Sequence, residues 1–107
     1  TTPQEASLGV VRKGIAMFEK VNVPILGIVE NMSYFTAPGG ERVEIFGHGG
    51  GAEEAARQGT AFLGEVPIFT EIREGGDAGV PVVVADPEGA PAQAFGAVAA
   101  ALRAGLE

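Results

Sequence analysis

Ile25-Leu26-Gly27-Ile28-Val29 is a short, nearly continuous apolar run that follows a helical segment and stops at Glu30-Asn31-Met32-Ser33. A run with no polar face to give to water fits a strand buried on both faces of a parallel sheet. The same pattern recurs downstream. Ala52 to about Gln58 predicts a short helix closed by Gly59, and Ala61 to Val66 a second strand ended by Pro67.

The flanking segments extend the alternation. Thr2-Pro3-Gln4-Glu5 has the form of a capping box, with Thr2 as cap and Pro3 at the first helical position, so a helix is expected from Pro3 to about Val21, stopped at Val23-Pro24. Gly9 and Gly14 lie inside it, and close packing against a neighbour is the expected compensation. Glu71 to Arg73 predicts one helical turn. Pro81-Val82-Val83-Val84 is β-branched and suits a third strand or an extended segment, and Ala90-Pro91 to about Leu106 an Ala-rich terminal helix. Helix, strand, helix, strand, extended segment, helix is the order of an α/β layer architecture. About three strands make a thin sheet, and a parallel sheet needs both faces covered and neighbours at its edges. The expectation is part of a larger sheet, completed by further polypeptide or by a partner chain. Thr1 is not a methionine and the chain opens on a helix-start signal, which also suggests a fragment.

Composition removes several functions. The 107 residues carry a net charge of −7 and no Lys/Arg cluster, so the electrostatic footprint of nucleic-acid binding is missing. The 17 glycines and 7 prolines require numerous tight loops. There is no cysteine, hence no disulfide and no thiolate metal ligand from this chain. No apolar run approaches the roughly 18 residues of a membrane span, and the N-terminus lacks a signal-peptide pattern, which makes the cytoplasm the default location.

Ligands of open α/β sheets bind beyond the carboxyl ends of the strands. Asn31 stands at such an end, where its amide offers the acceptor and donor that pair with an adenine N6/N7 edge, although it also suits a turn cap. Gly47-His48-Gly49-Gly50-Gly51 precedes a helix and could cradle a phosphate, but its spacing is not that of a P-loop. G-x-x-x-x-G-K-S/T occurs nowhere, and no lysine follows Lys20. His48, without a second His or a Cys, suits a hydrogen-bonded turn better than a metal site. Glu53, Glu54, Glu65, Glu71, Glu74 and Asp77 have the spacing of solvated faces, and Tyr34-Phe35 with Phe46 could form an exposed apolar patch. No catalytic residue and no metal ligand is assigned.

Thr1-Thr2-Pro3-Gln4, Arg12-Lys13-Gly14-Ile15-Ala16-Met17-Phe18, the run from Val21 through Glu30-Asn31-Met32-Ser33-Tyr34-Phe35, Ile45-Phe46-Gly47-His48-Gly49-Gly50 and Phe62-Leu63-Gly64-Glu65-Val66-Pro67 resemble the C-terminal half of the Mrp/ApbC family. Those proteins are iron-sulfur cluster carriers of the deviant Walker P-loop ATPase class, related to the MinD/ParA group. The resemblance implies that residues 1–107 are the C-terminal portion of one P-loop NTPase domain with a doubly wound parallel sheet. The P-loop, switch segments and Mg²⁺-linked acidic residue would precede Thr1. ATP with Mg²⁺ is the implied cofactor, held chiefly from outside this chain, which alone would not hydrolyse it. Asn31 corresponds to the family's adenine-contacting Asn, and Val66-Pro67 to the segment that closes over the base.

A homodimer and iron-sulfur client proteins are the implied partners. The family carries Cys-x-x-Cys between its Tyr-Phe and its Gly-Glu-Arg, where two subunits jointly hold a 4Fe–4S cluster. Here Ala37 stands at the first Cys position and the second is lost in a shortened loop; neither Ala nor Gly ligates iron. Three readings follow: the adenine-contacting, dimer-forming segment of an ATPase in iron-sulfur assembly or transfer; a non-enzymatic dimerisation or docking module; and cluster handling through ligands outside this segment.

Overall fold

The computed structural model describes residues 1–106 and has an α/β architecture. Helix α1 (Glu5–Lys20) turns Leu8, Val11 and Ile15 inward, three and four residues apart on one helical face. It ends at Lys20, within a residue of the expected limit, and the closure falls at Asn22 rather than at the proline. Asn22 takes the left-handed conformation (φ 58°), Asn22 N–H donates to the Glu19 carbonyl (3.2 Å) and Val23 N–H to that of Phe18 (2.9 Å), closing the last turn. At the other end Gln4 is the cap residue and makes no side-chain capping bond. The expected capping box does not form, because Thr2 Oγ1 is engaged with Gln4 Oε1 (3.2 Å) and Thr2 N–H with Ser7 Oγ (3.2 Å).

Strand β1 (Gly27–Asn31) pairs in parallel with the strand that follows the next long crossover, β4 (Ala61–Val66), with Gly27 opposite Ala61, Ile28 opposite Phe62, Val29 opposite Gly64 and Asn31 opposite Val66. Leu63 is the extra residue of a bulge, and Gly64 next to it sits at φ 140°. The crossover holds a short antiparallel hairpin, β2 (Phe35–Thr36) and β3 (Arg42–Val43), and helix α2 (Gly50–Gln58), closed by Gly59 at φ 70°. Ile15, Ile28 and Ala55 form the core, with Val11, Ile25 and Phe62 packed on it, so α1 and α2 cover the same side of the sheet.

Beyond β4 come α3 (Thr70–Ala78), α4 (Val82–Ala85) and α5 (Ala90–Leu106), the last lying along β4. Pro81 to Val84 is therefore not a third strand. It forms a single helical turn, with Val84 and Ala85 N–H donating to the Pro81 carbonyl (3.0 Å each), packed between α3 and α5. The parallel sheet has two strands among the described residues. Its outer edge is engaged by the first residue: the Thr1 amino group donates to the Val29 carbonyl (2.9 Å) and Asn31 N–H to the Thr1 carbonyl (2.7 Å), the bonding of a parallel neighbour. Gly14 lines an open hollow of about 290 Å³ beside this edge with Phe18 and Ile28. No atom lies within 4 Å of where a Cβ on Gly9 or Gly14 would sit, so neither glycine admits a close neighbour here.

Candidate functional site

Asn31, Val66 and Pro67 meet at the carboxyl ends of the two parallel strands. Asn31 and Val66 are register partners; Val66 is 1% exposed, Pro67 is buried, and Asn31 is exposed. The chain turns immediately after Asn31: Met32 adopts φ 56°, its N–H bonded to Asn31 Oδ1 (2.8 Å), and Ser33 N–H donates to the Val66 carbonyl (3.1 Å). Asn31 thus caps a turn and also presents outward. Its Oδ1 retains a second lone pair, and Nδ2 has no partner among the described residues.

Beneath this turn lies Glu30, which sequence reasoning treated only as the polar end of a strand. It is wholly buried. Its Oε1 accepts from Gly51 N–H (2.9 Å), and Ser33 Oγ lies 2.8 Å from its Oε2 and 3.1 Å from its own carbonyl oxygen. Gly51 is in the first turn of α2, whose free N–H groups favour a carboxyl group. The glycine run before α2 therefore receives an internal carboxyl group at Gly51, not an arrangement left open for a phosphate. A Cβ on Gly51 would lie 2.9 Å from Glu30 Cβ and 3.2 Å from Phe62 Cε1, which is why glycine is required there. Glycine directly before a helix, paired with an acid at a strand end, was the available signal.

Glu54 also departs from the expected solvated surface. It is 1% exposed, with Oε1 accepting from Arg12 Nε and Arg57 Nη1 and Oε2 from Gln58 Nε2, each at 2.7 Å. The Gln58 and Arg12 hydrogen bonds hold its carboxyl below the usual carboxylate range, and the same Glu54 bond, with one to Glu5, raises Arg12. This network joins α1 to α2 and faces no ligand position.

The hairpin that occupies the family's cluster loop is closed on itself. Ala37 N–H donates to the Glu41 carbonyl and Gly40 N–H to the Ala37 carbonyl, both at 2.8 Å, and Gly40 turns at φ 86°. The Arg42 guanidinium lies 3.6 Å from the Tyr34 ring centroid; Tyr34 and Phe35 are half-buried, and the exposed apolar side chains nearby are Val43 and Ile45. No side chain between Ala37 and Gly40 is a thiol, imidazole or carboxylate, and the segment does not fit an iron cluster. His48 Nδ1 is 3.0 Å from Glu44 Oε1 in an exposed turn. Among the described residues no group of three or more His, Asp or Glu side chains could hold a metal ion. The larger hollows, of about 600 and 540 Å³, lie among α3, α4 and α5 and do not include Asn31 or Pro67. No helix among these residues is long and apolar enough to cross a membrane.

Relatives place this geometry in context. An iron-sulfur cluster carrier protein of Synechocystis is 48% identical over 92% of the chain, and the iron-sulfur cluster transfer protein NUBPL of Dictyostelium discoideum 47% identical over 89%. A mitochondrial iron-sulfur protein required for NADH dehydrogenase, from Arabidopsis thaliana, is 48% identical over 89%. The chain spans only about 30% of the length of these relatives. The solved structure of a nucleotide-binding protein from Archaeoglobus fulgidus in complex with ADP superposes with a TM-score of 0.62 and 42% identity, covering 74% of this chain and 33% of that one. The ParA family model, described as NUBPL iron-transfer P-loop NTPase, matches residues 1–103, and the chain belongs to that family.

Proposed function

We propose that residues 1–107 form the base-binding, C-terminal portion of a P-loop NTPase domain whose phosphate-binding and Mg²⁺-linked residues lie outside this chain. The carrying observation is the register of Asn31 with Val66, which sets an exposed amide, its Nδ2 unpartnered among the described residues, at a sheet end beside buried Pro67. In that position Oδ1 accepts from an adenine N6–H while Nδ2 donates to N7, and Val66-Pro67 closes over the base. The ADP complex of the Archaeoglobus relative supports a nucleotide as the ligand. The whole protein is an ATP-hydrolysing participant in iron-sulfur cluster transfer, acting as a homodimer on client proteins in the cytoplasm. The cluster is its cargo, and the hairpin of this chain supplies none of its ligands.

Calorimetric titration of the intact protein with ATP tests the base contact. Asn31→Ala is expected to weaken binding about tenfold, the scale of a lost bidentate base contact. Unchanged affinity removes Asn31 from the site. The isolated 107 residues are expected to show no ATP hydrolysis.

A second reading, a non-enzymatic dimerisation or docking module, is favoured by the ligand-free hairpin and by exposed Val43 and Ile45 beside it. It requires association in light scattering, and a monomer at all concentrations with no partner in a pull-down removes it.

A further inference from the structure

We propose that Glu30 is a positioning residue for base recognition, holding the Asn31-Met32-Ser33 turn in its reading conformation by tying it to the N-terminus of α2. This rests on the reading of Asn31 as the adenine contact. Burying a carboxyl group is costly unless its oxygens are satisfied, and an apolar side chain commonly serves stability as well or better at such a site. Glu30 is 0% exposed and spends both oxygens on bridging: Gly51 N–H on one, Ser33 Oγ on the other. Neighbouring side chains in a strand point to opposite faces, so Glu30 works beneath the turn while Asn31 faces outward, and Glu30 does not touch the base.

The turn needs such a hold. Met32 at φ 56° is in a conformation that L residues adopt at a cost and keep when the surroundings over-determine it. Backbone bonds fix the turn at Asn31 N–H and Ser33 N–H; the Glu30 side chain adds the link to α2, where the missing Cβ of Gly51 lets the carboxyl stem pack against the helix. Release of that link lets Asn31 vary its amide plane, and the loss falls on discrimination. Adenine offers N6–H and N7, a donor and an acceptor, whereas guanine offers two acceptors, O6 and N7. Phosphate contacts are common to both nucleotides and cancel in the ratio of their affinities.

The test is the ATP-to-GTP affinity ratio of the intact protein by calorimetry, with far-UV circular dichroism on each variant. Glu30→Ala is expected to lower the ratio about tenfold with the spectrum unchanged, on the scale of one lost buried hydrogen bond. Glu30→Gln, whose oxygen still accepts from Gly51 N–H and whose amide donates to Ser33 Oγ, is expected to restore it to within about twofold. An unchanged ratio in Glu30→Ala, or no restoration in Glu30→Gln, overturns the proposal. If Glu30→Ala does not fold, Ser33→Ala decides, since it removes only the Ser33 hydroxyl and leaves Glu30 bonded to Gly51: a loss of about threefold supports the role and an unchanged ratio overturns it. Asn31→Ala separates the two levels. If it leaves the ratio intact, the base-contact reading fails; if it lowers the ratio and the Glu30 variants do not, only the positioning role fails.

Discussion

The two halves of the chain are packed to different standards. From Thr1 to Pro67 the structure buries Leu8, Ile15, Ile28, Ala55 and Val66 and satisfies two internal carboxyl groups, Glu30 and Glu54. From Ile68 onward, α3 and α4 bury nothing fully, α5 buries only Ala92 among the described residues, Val84 is exposed, and Val80, Val83 and Phe95 are exposed around hollows of about 600 and 540 Å³. The first half encloses its own core around the β1 and β4 pair; the second leans on it through α5. Full burial is therefore concentrated around the strand pair whose end carries the candidate base contact, which is where preorganisation has a functional use.

The largest expected effect sharpens that contrast. Ile28→Ala removes a side chain that is 5% exposed and packed with Ile15 and Ala55, and is expected to cost about 2–5 kcal/mol in urea unfolding. Val84→Ala, at a residue 67% exposed, is expected to stay within about 0.5 kcal/mol. Equal losses at the two positions break the comparison.

Local patterns were legible in both halves, and their failures share a cause. The helix from Ala52 to Gln58, the strand from Ala61 to Val66 and the terminal helix are found within two residues of their expected limits, because Gly59, Pro67 and the apolar runs act locally. Family membership was equally legible, in runs such as Glu30-Asn31-Met32-Ser33-Tyr34-Phe35. The Thr2 cap fails because Thr2 bonds to Gln4 and Ser7 instead, in a segment whose first residue is held at the edge of β1, 28 residues away in sequence. The valines at 82–84 form a helical turn whose N–H groups close on the Pro81 carbonyl, set between α3 and α5 with no strand beside it among the described residues, and strand propensity yields to that local bonding. Glu30 and Glu54 are buried against the usual rule for acids, and only the fold brings Gly51, Ser33, Arg12 and Gln58 to them. The candidate base contact was legible in Asn31; its support was not.

One substitution should have opposite signs in the two regions. Gly51→Ala drives a Cβ to within 2.9 Å of Glu30 Cβ and is expected to cost about 1–3 kcal/mol. Gly76→Ala lies inside α3 with no atom within 4 Å of the new Cβ and no positive φ, so its better helix propensity is expected to add about 0.5–1 kcal/mol. Urea midpoints of both variants check the pair; two changes of the same sign would mean that the packing difference does not extend to these helices.

The smallest expected effect concerns acid. Glu54 is held below the usual carboxylate range in the folded chain, first by Gln58 and then by Arg12, so the folded state binds its proton less readily than the unfolded one. Its contribution is full above the unfolded value near 4.5 and is lost as pH falls below that and through the lowered folded value. Arg12 and Arg57 remain 33% and 58% exposed, so solvent screens their share and the contribution is about 1 kcal/mol. Glu54→Gln is expected to flatten this part of the acid limb and to lower stability at neutral pH by about the same 1 kcal/mol, since the amide oxygen still accepts from Arg12 but the charge is gone and its NH2 meets the Gln58 donor. Urea unfolding between pH 3 and 7 reads both numbers. An acid limb unchanged in Glu54→Gln would place the proton uptake on other carboxylates and leave the α1 to α2 network a packing feature of the ordered half, without a charge effect of its own.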